Sequence, residues 1–187
     1  RLTLLVNDFL NISKMEAGTF ELKPSKFQIS ELAYDLESSF EPIANGGDHV
    51  FAVTAPDEHQ FATGDRKLLR QMIMNLLSNA SKYSPSKTNI SLDIWVDDHD
   101  LRVTVTDEGP GIPREERDRV FEPYNRLDNA DAPGNGMGLT IVKQIAELHR
   151  GKVWVEDGVG GGTAFAIWLP EIVQTASALL ERRSIAC

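Results

Sequence analysis

Two asparagines one helical turn apart, in the run Asn75-Leu76-Leu77-Ser78-Asn79-Ala80-Ser81-Lys82-Tyr83, carry the most chemical information in this chain. On a helix, positions 75, 79, 82 and 83 share one face, because residues three and four apart are neighbours. That face offers two neutral amides, a cation and an aromatic plate. Amide oxygens can ligate Mg²⁺, an ammonium can meet phosphate, and an aromatic ring can cover a nucleobase or ribose.

Four further stretches carry side chains or backbone suited to a nucleotide. Asp107-Glu108-Gly109-Pro110-Gly111-Ile112 sits at the end of a strand pattern, where a carboxylate can accept from an exocyclic amine and glycines admit a ring close to the backbone. Alone, such a box is more often a surface turn. Gly134-Asn135-Gly136-Met137-Gly138-Leu139 opens a helix, so free N–H groups and the positive dipole end gather there, as at phosphate sites. Alone it reads equally as a hinge. Between them, Phe121-Glu122-Pro123-Tyr124-Asn125-Arg126 combines an aromatic anchor with an arginine able to grip phosphate bidentately. Last, Gly160-Gly161-Gly162-Thr163 puts a hydroxyl before the final long strand, within reach of a base or simply favouring the strand. No Gly-x-x-x-x-Gly-Lys-Ser/Thr occurs, which excludes a P-loop.

The elements that must position these boxes follow from periodicity. Leu2, Leu5, Phe9 and Ile12 step as positions of a helix seated on other helices or, equally by spacing, of a plain amphipathic helix lying on its own domain, and Ala17-Gly18 ends that segment. An extended bridge, Phe20 to Phe27, leads to a helix with Ser30 as N-cap and Leu32, Leu36, Phe40 and Ile43 as its buried stripe. Residues 49–55 and 60–63 read as strands around a Pro56-Asp57 turn. Asp65 caps a long helix that buries Leu69, Met72, Ile73, Leu76, Leu77 and Ala80 and stops at Pro85. Ile90 to Val96 and Leu101 to Val105 alternate as a hairpin. The stretch 108–136 is a long Gly/Pro-punctuated loop of the kind that serves as a lid. A helix from Met137 to Arg150, strands at 152–156 and 163–169, and an amphipathic helix across 171–183 complete the reading. Three main helices against about five strands in mixed order predict a two-layer α/β sandwich.

Composition bounds the function. A formal net charge of −9 argues against a general nucleic-acid or anionic-membrane binder. The single cysteine, Cys187, forbids an intrachain disulfide and suits a reducing, cytoplasmic compartment. No apolar run reaches the roughly 18 residues a membrane span needs. Opening on Arg1 inside an apolar-periodic segment, the chain reads as a fragment, so an anchor elsewhere in the parent is left open.

Together and in this order, the boxes closely resemble the catalytic and ATP-binding domain of sensor histidine kinases, the Bergerat-type fold shared with gyrase B subunits and mismatch-repair ATPases. The likeness covers about residues 20–170, and Asn11 to Gly18 resemble the end of the second helix of that family's dimerisation and phosphotransfer hairpin. It implies three parts: a helix end at 1–18, a catalytic ATP-binding domain at 19–170, and a tail or linker at 171–187. It further implies that Asn79 ligates Mg²⁺ with support from Asn75, that Lys82 and Arg126 contact phosphate, and that Tyr83 covers the nucleotide. Asp107 would take the adenine amino group, helped by Gly111 and Thr163, with Ile112 lining the pocket and Phe121 holding the lid. Gly134, Gly136 and Gly138, with the adjoining Met137 and Leu139, would bring backbone donors to the phosphates. Implied partners are ATP, a histidine-bearing hairpin in a homodimeric parent, and a response-regulator receiver domain.

The chain departs from that family in small and large ways. Tyr124 stands where Phe is common and Met137 where Leu is common, and neither removes a polar contact. No histidine has the phosphoacceptor pattern: His49, His59, His99 and His149 all read as surface residues. Phosphoryl transfer would therefore go to a histidine outside this chain. Helix residues 66–84 contain no acid to activate water, which weighs against gyrase-type hydrolysis, and the hairpin-like stub weighs against an anti-sigma serine kinase. A regulatory nucleotide- or partner-binding module without transfer activity is the rival of a different class.

Overall fold

The computed structural model describes residues 19–57, 59–123, 125 and 136–174. The expected helix end at 1–18 and the span 175–183 lie outside them. Among the described residues the strands are β1 (Ser25–Gln28), β2 (Val50–Thr54), β3 (Phe61–Gly64), β4 (Asn89–Asp97), β5 (Asp100–Asp107), β6 (Lys152–Asp157), β7 (Thr163–Leu169) and β8 (Val173–Gln174). The helices are α1 (Ile29–Gly46), α2 (Arg66–Tyr83) and α3 (Gly138–Leu148).

The main sheet runs β2-β4-β5-β7-β6, parallel between β2 and β4 and antiparallel elsewhere. Register explains which face is covered. Leu92 lies opposite Val105, and Val105 opposite Phe165, so one face is a continuous apolar layer. Ser91, Asp93 and Trp95 fall on the other face by the period of two, with Thr106, Thr104 and Arg102 opposite them. The helices cover the apolar face, joining Leu36, Met72, Leu76 and Ile145 to one core. This is the expected two-layer α/β sandwich, with five strands in its main sheet.

Several local expectations need correction. A small second sheet, β1-β3-β8, was not foreseen. β3 pairs there rather than forming a hairpin with β2 across Pro56-Asp57, and the end of the bridge becomes β1. Residues 173–174 form β8 where a helix was expected, and Val173 N–H also donates to the His99 carbonyl at 2.9 Å. In α1, Gln28 occupies the cap position without a side-chain bond, so Ser30 lies inside the first turn. Ile43 is 45% exposed while Ala44 is fully buried, because Leu36, Phe40 and Ala44 continue a regular four-residue step.

Asp65 caps α2 as expected: its Oδ1 accepts from Leu68 N–H at 3.2 Å. It does more. Oδ2 accepts from Lys23 N–H at 3.0 Å, and Asp65 N–H donates to His149 Nε2 at 3.1 Å. His149 Nδ1 faces the Ile145 carbonyl at 2.9 Å, an acceptor only, so the ring proton sits on Nδ1. The bridge before β1, the start of α2 and the end of α3 are thus tied at one point. His149 and His49 are buried, contrary to the surface positions expected of them. His49 instead lodges between α1 and α2, with Nε2 at 3.2 Å from the Ser81 carbonyl.

Candidate functional site

Helix α2 is the spine of the site. Its buried stripe, Leu69, Met72, Ile73, Leu76, Leu77 and Ala80, faces the sheet, leaving Asn75, Asn79 and Lys82 half-buried beside it. Asn75 Nδ2 donates to the Gly138 carbonyl at 3.3 Å, joining the helix to the second glycine box. At the other end, a Cβ on Gly109 would stand 3.2 Å from the Tyr83 carbonyl oxygen, so the first glycine box lies directly on the helix terminus. Asn79 stands one turn from each contact, on the same face. Its side chain makes no hydrogen bond among the described residues. Lys82 Nζ donates to Tyr83 Oη at 2.9 Å and lies 4.5 Å from that ring's centroid, so cation and plate sit together at the helix end.

Asp107 ends β5 on the buried face of the sheet and is 3% exposed. Its Oδ1 accepts from Gly109 N–H at 2.8 Å and Thr163 N–H at 3.4 Å. No donor among the described residues meets Oδ2. Burial raises its pKa above the usual carboxylate range, with the two backbone N–H groups pulling the other way. One oxygen therefore takes both backbone bonds, and the other has no donor among the described residues. Close packing of glycines walls this carboxyl. A Cβ on Gly111, whose φ is +73°, would stand 2.7 Å from the Gly161 carbonyl oxygen, and one on Gly162 would overlap the Asp107 carbonyl. Ile112 packs half-buried against the core.

The remaining expected residues fall at the start of α3 and along the loop. Met137 is buried at the cap position of α3, Gly138 and Leu139 form its first turn, and Gly136 has a φ of +69°. Phe121 is buried and meets Phe165 edge-on at 6.3 Å, anchoring the loop on β7. Arg126 and Gly134 lie outside the described residues. Asn75, Tyr83, Asp107, Gly111, Gly138 and Thr163 are thus linked by contacts through one helix, while a hollow of about 560 Å³ at the start of α1, lined by Tyr34, Asp35 and Arg66 among others, shares no residue with them.

Arg117 and Asp157 escaped the sequence reading. The guanidinium of Arg117 donates from Nε to the Ile112 carbonyl at 3.1 Å and from its terminal nitrogen to Asp157. Nothing in local spacing marks a pair that far apart in sequence. The Asp107 carboxyl with an unused oxygen, the glycine walls and the amide face of α2 suit a purine nucleotide bearing phosphates and a hard cation. Among the described residues no helix is long and apolar enough to cross a membrane, and no cluster of three His, Cys, Asp or Glu offers a dedicated metal site.

Residues 64–172 match the family model described as Histidine kinase-, DNA gyrase B-, and HSP90-like ATPase. The chain is 33% identical to the circadian input-output histidine kinase CikA of Synechococcus elongatus, over 89% of this chain and 23% of CikA. It is also 33% identical to the adaptive-response sensory kinase SasA of Microcystis aeruginosa, over 89% of this chain and 44% of SasA. It therefore spans less than half the length of either relative. Full-length ShkA, crystallised with AMPPNP, superposes with a TM-score of 0.83 at 28% identity, covering 94% of this chain and 37% of ShkA.

Proposed function

Because the chain belongs to the family of histidine kinase-, DNA gyrase B- and HSP90-like ATPases, we propose that it is the ATP-binding catalytic domain of a sensor histidine kinase. The observation that carries this reading is the double attachment of α2, through Asn75 to Gly138 and through Tyr83 to Gly109, with buried Asp107 beside the second contact. Asp107 Oδ2 accepts from the adenine amino group, and the glycines let the ring lie against backbone. Asn79 ligates Mg²⁺ with Asn75 behind it. Lys82 and Arg126 meet phosphate oxygens, Tyr83 covers the nucleotide, and the N–H groups that open α3 point a positive end toward anionic oxygen. Mg·ATP supplies the γ-phosphoryl group when bound.

The chain's residues do no covalent chemistry in this scheme. They position the triphosphate and neutralise its oxygens, which is most of what phosphoryl transfer requires of a protein. Residues 66–84 bring no carboxylate to α2, so water is not activated there. The phosphoryl group would pass instead to a histidine on a dimerisation hairpin, and from it to a receiver domain. Residues 19–170 form the catalytic unit on this reading. The test is to mix this chain with a histidine-bearing hairpin from a relative and γ-labelled ATP. Label on the hairpin, lost in Asn79→Asp, is expected. ATP binding without transfer would favour a regulatory nucleotide-binding module.

A further inference from the structure

We propose that Arg117 is the positioning residue of the base pocket, its planar fork clamping together the two glycine turns that wall Asp107; the inference rests on the nucleotide reading above. The two turns come from distant parts of the chain, residues 109–112 after β5 and 158–162 between β6 and β7. Their backbones approach closely, Gly111 to Gly161 and Gly162 to Asp107, and Asp107 Oδ1 spans them by accepting from Gly109 N–H at 2.8 Å and, just past the second turn, from Thr163 N–H at 3.4 Å. Gly111, Gly160 and Gly161 all have positive φ, and glycine-rich backbone of this kind has little stiffness of its own. The bond from Thr163 is long and lies at one edge of the turns, so a second tie on their far side would set how closely they face each other.

Arg117 is placed to do this. Nε takes the carbonyl of Ile112, the exit of the first turn, at 3.1 Å. The terminal nitrogen takes Asp157, the last residue of β6 and the entry to the second turn. Arg114 adds a weaker contact to the same carboxylate at 3.6 Å. The bond and charge of Arg117 hold the Asp157 carboxyl below the usual carboxylate range. At 18% exposure the Arg117 side chain is less exposed than any other arginine ion-paired among the described residues. A surface ion pair alone is worth little, but a guanidinium that also satisfies a backbone carbonyl fixes an angle between two strands of chain. Lysine has the charge without the fork and cannot serve both acceptors in that geometry. Arg117 also lies on the segment leading to Phe121, so the pocket wall and the loop anchor share one support.

The experiment compares the unmodified chain with Arg117→Ala, Arg117→Lys and Asp157→Asn. ATP affinity with Mg²⁺ is measured by calorimetry, GTP by competition against ATP, and amide hydrogen exchange on nucleotide-free protein. Arg117→Ala should weaken ATP binding roughly ten-fold and narrow the preference for ATP over GTP. Exchange should accelerate at Gly109–Ile112 and Gly160–Thr163 while α1 and α2 keep their protection. Arg117→Lys should restore only part of the affinity, and Asp157→Asn should resemble it. Affinity, base preference and exchange in Arg117→Ala all equal to the unmodified chain would overturn the inference alone. Uniform loss of protection across α1 and α2 would also overturn it, as a general fold defect. No ATP binding by the unmodified chain would overturn the nucleotide reading and this inference with it.

Discussion

On the proposed nucleotide reading, base selectivity rests on Asp107, whose two oxygens have different surroundings. Oδ1 is held by the N–H groups of Gly109 and Thr163, and Oδ2, which no described donor meets, is the oxygen proposed to take the adenine amine. Asp107→Asn keeps the held oxygen but turns the free position into a donor. It should weaken ATP at least ten-fold and shift preference toward GTP, whose base presents a carbonyl where adenine has its amine. Protonation acts on the same atom. The folded-state pKa lies above 3.8, so the stability this group contributes to the nucleotide-free protein is present below 3.8 and lost as pH rises through the raised value. Binding runs oppositely: affinity should fall as pH drops through that raised value, and the acid limb should vanish in Asp107→Asn. A series of Kd values against pH checks the sign. The acid at the end of a strand pattern and the glycines after it were legible in sequence, because each signal is local. Arg117 was not, since its partners Ile112 and Asp157 become neighbours only when β6 and β7 bring the second glycine turn over the first.

At the scale of elements, α2 and its cap were the most readable part of the chain. Its stripe obeys one helical period, and Asp65 is a standard N-cap type. What periodicity could not reveal is that Asp65 also holds Lys23 and, through its N–H, His149. Asp65→Ala removes the bonds from Leu68 and Lys23 while keeping the N–H to His149, and should cost about 2 kcal/mol, read as a lower denaturant midpoint at unchanged slope. A loss below about 0.5 kcal/mol would mean that only an exposed cap was removed. The small β1-β3-β8 sheet was missed for a related reason. β3 and β8 are too short to alternate convincingly, and pairing between residues 61–62 and 173–174 has no local signature. The buried histidines belong here too: His49 and His149 are recruited by the carbonyls of Ser81 and Ile145, which burial must satisfy.

For the whole molecule, the layers bring two separated backbone segments onto one helix, Gly109 against Tyr83 and Gly138 against Asn75. The sheet carries Asp107 and Thr163, the loop anchor rests on Phe165, and α3 delivers Gly138 to Asn75. The architecture was legible because mixed strands and helices of these lengths have few ways to bury their apolar faces. No histidine here has a phosphoacceptor pattern, so the proposed transfer requires a histidine from another hairpin. A supplied hairpin should consequently gain label far faster than the chain alone releases inorganic phosphate, whereas rapid phosphate release without a hairpin would favour an ATPase. The most direct measurement is calorimetric titration of the chain with ATP, with and without Mg²⁺, alongside Asn79→Ala. One saturable site, tightened by Mg²⁺ in the unmodified chain and losing that dependence in Asn79→Ala, is the expected result. No saturable binding, or binding indifferent both to Mg²⁺ and to Asn79, would contradict a single pocket built from α2 and its two glycine boxes.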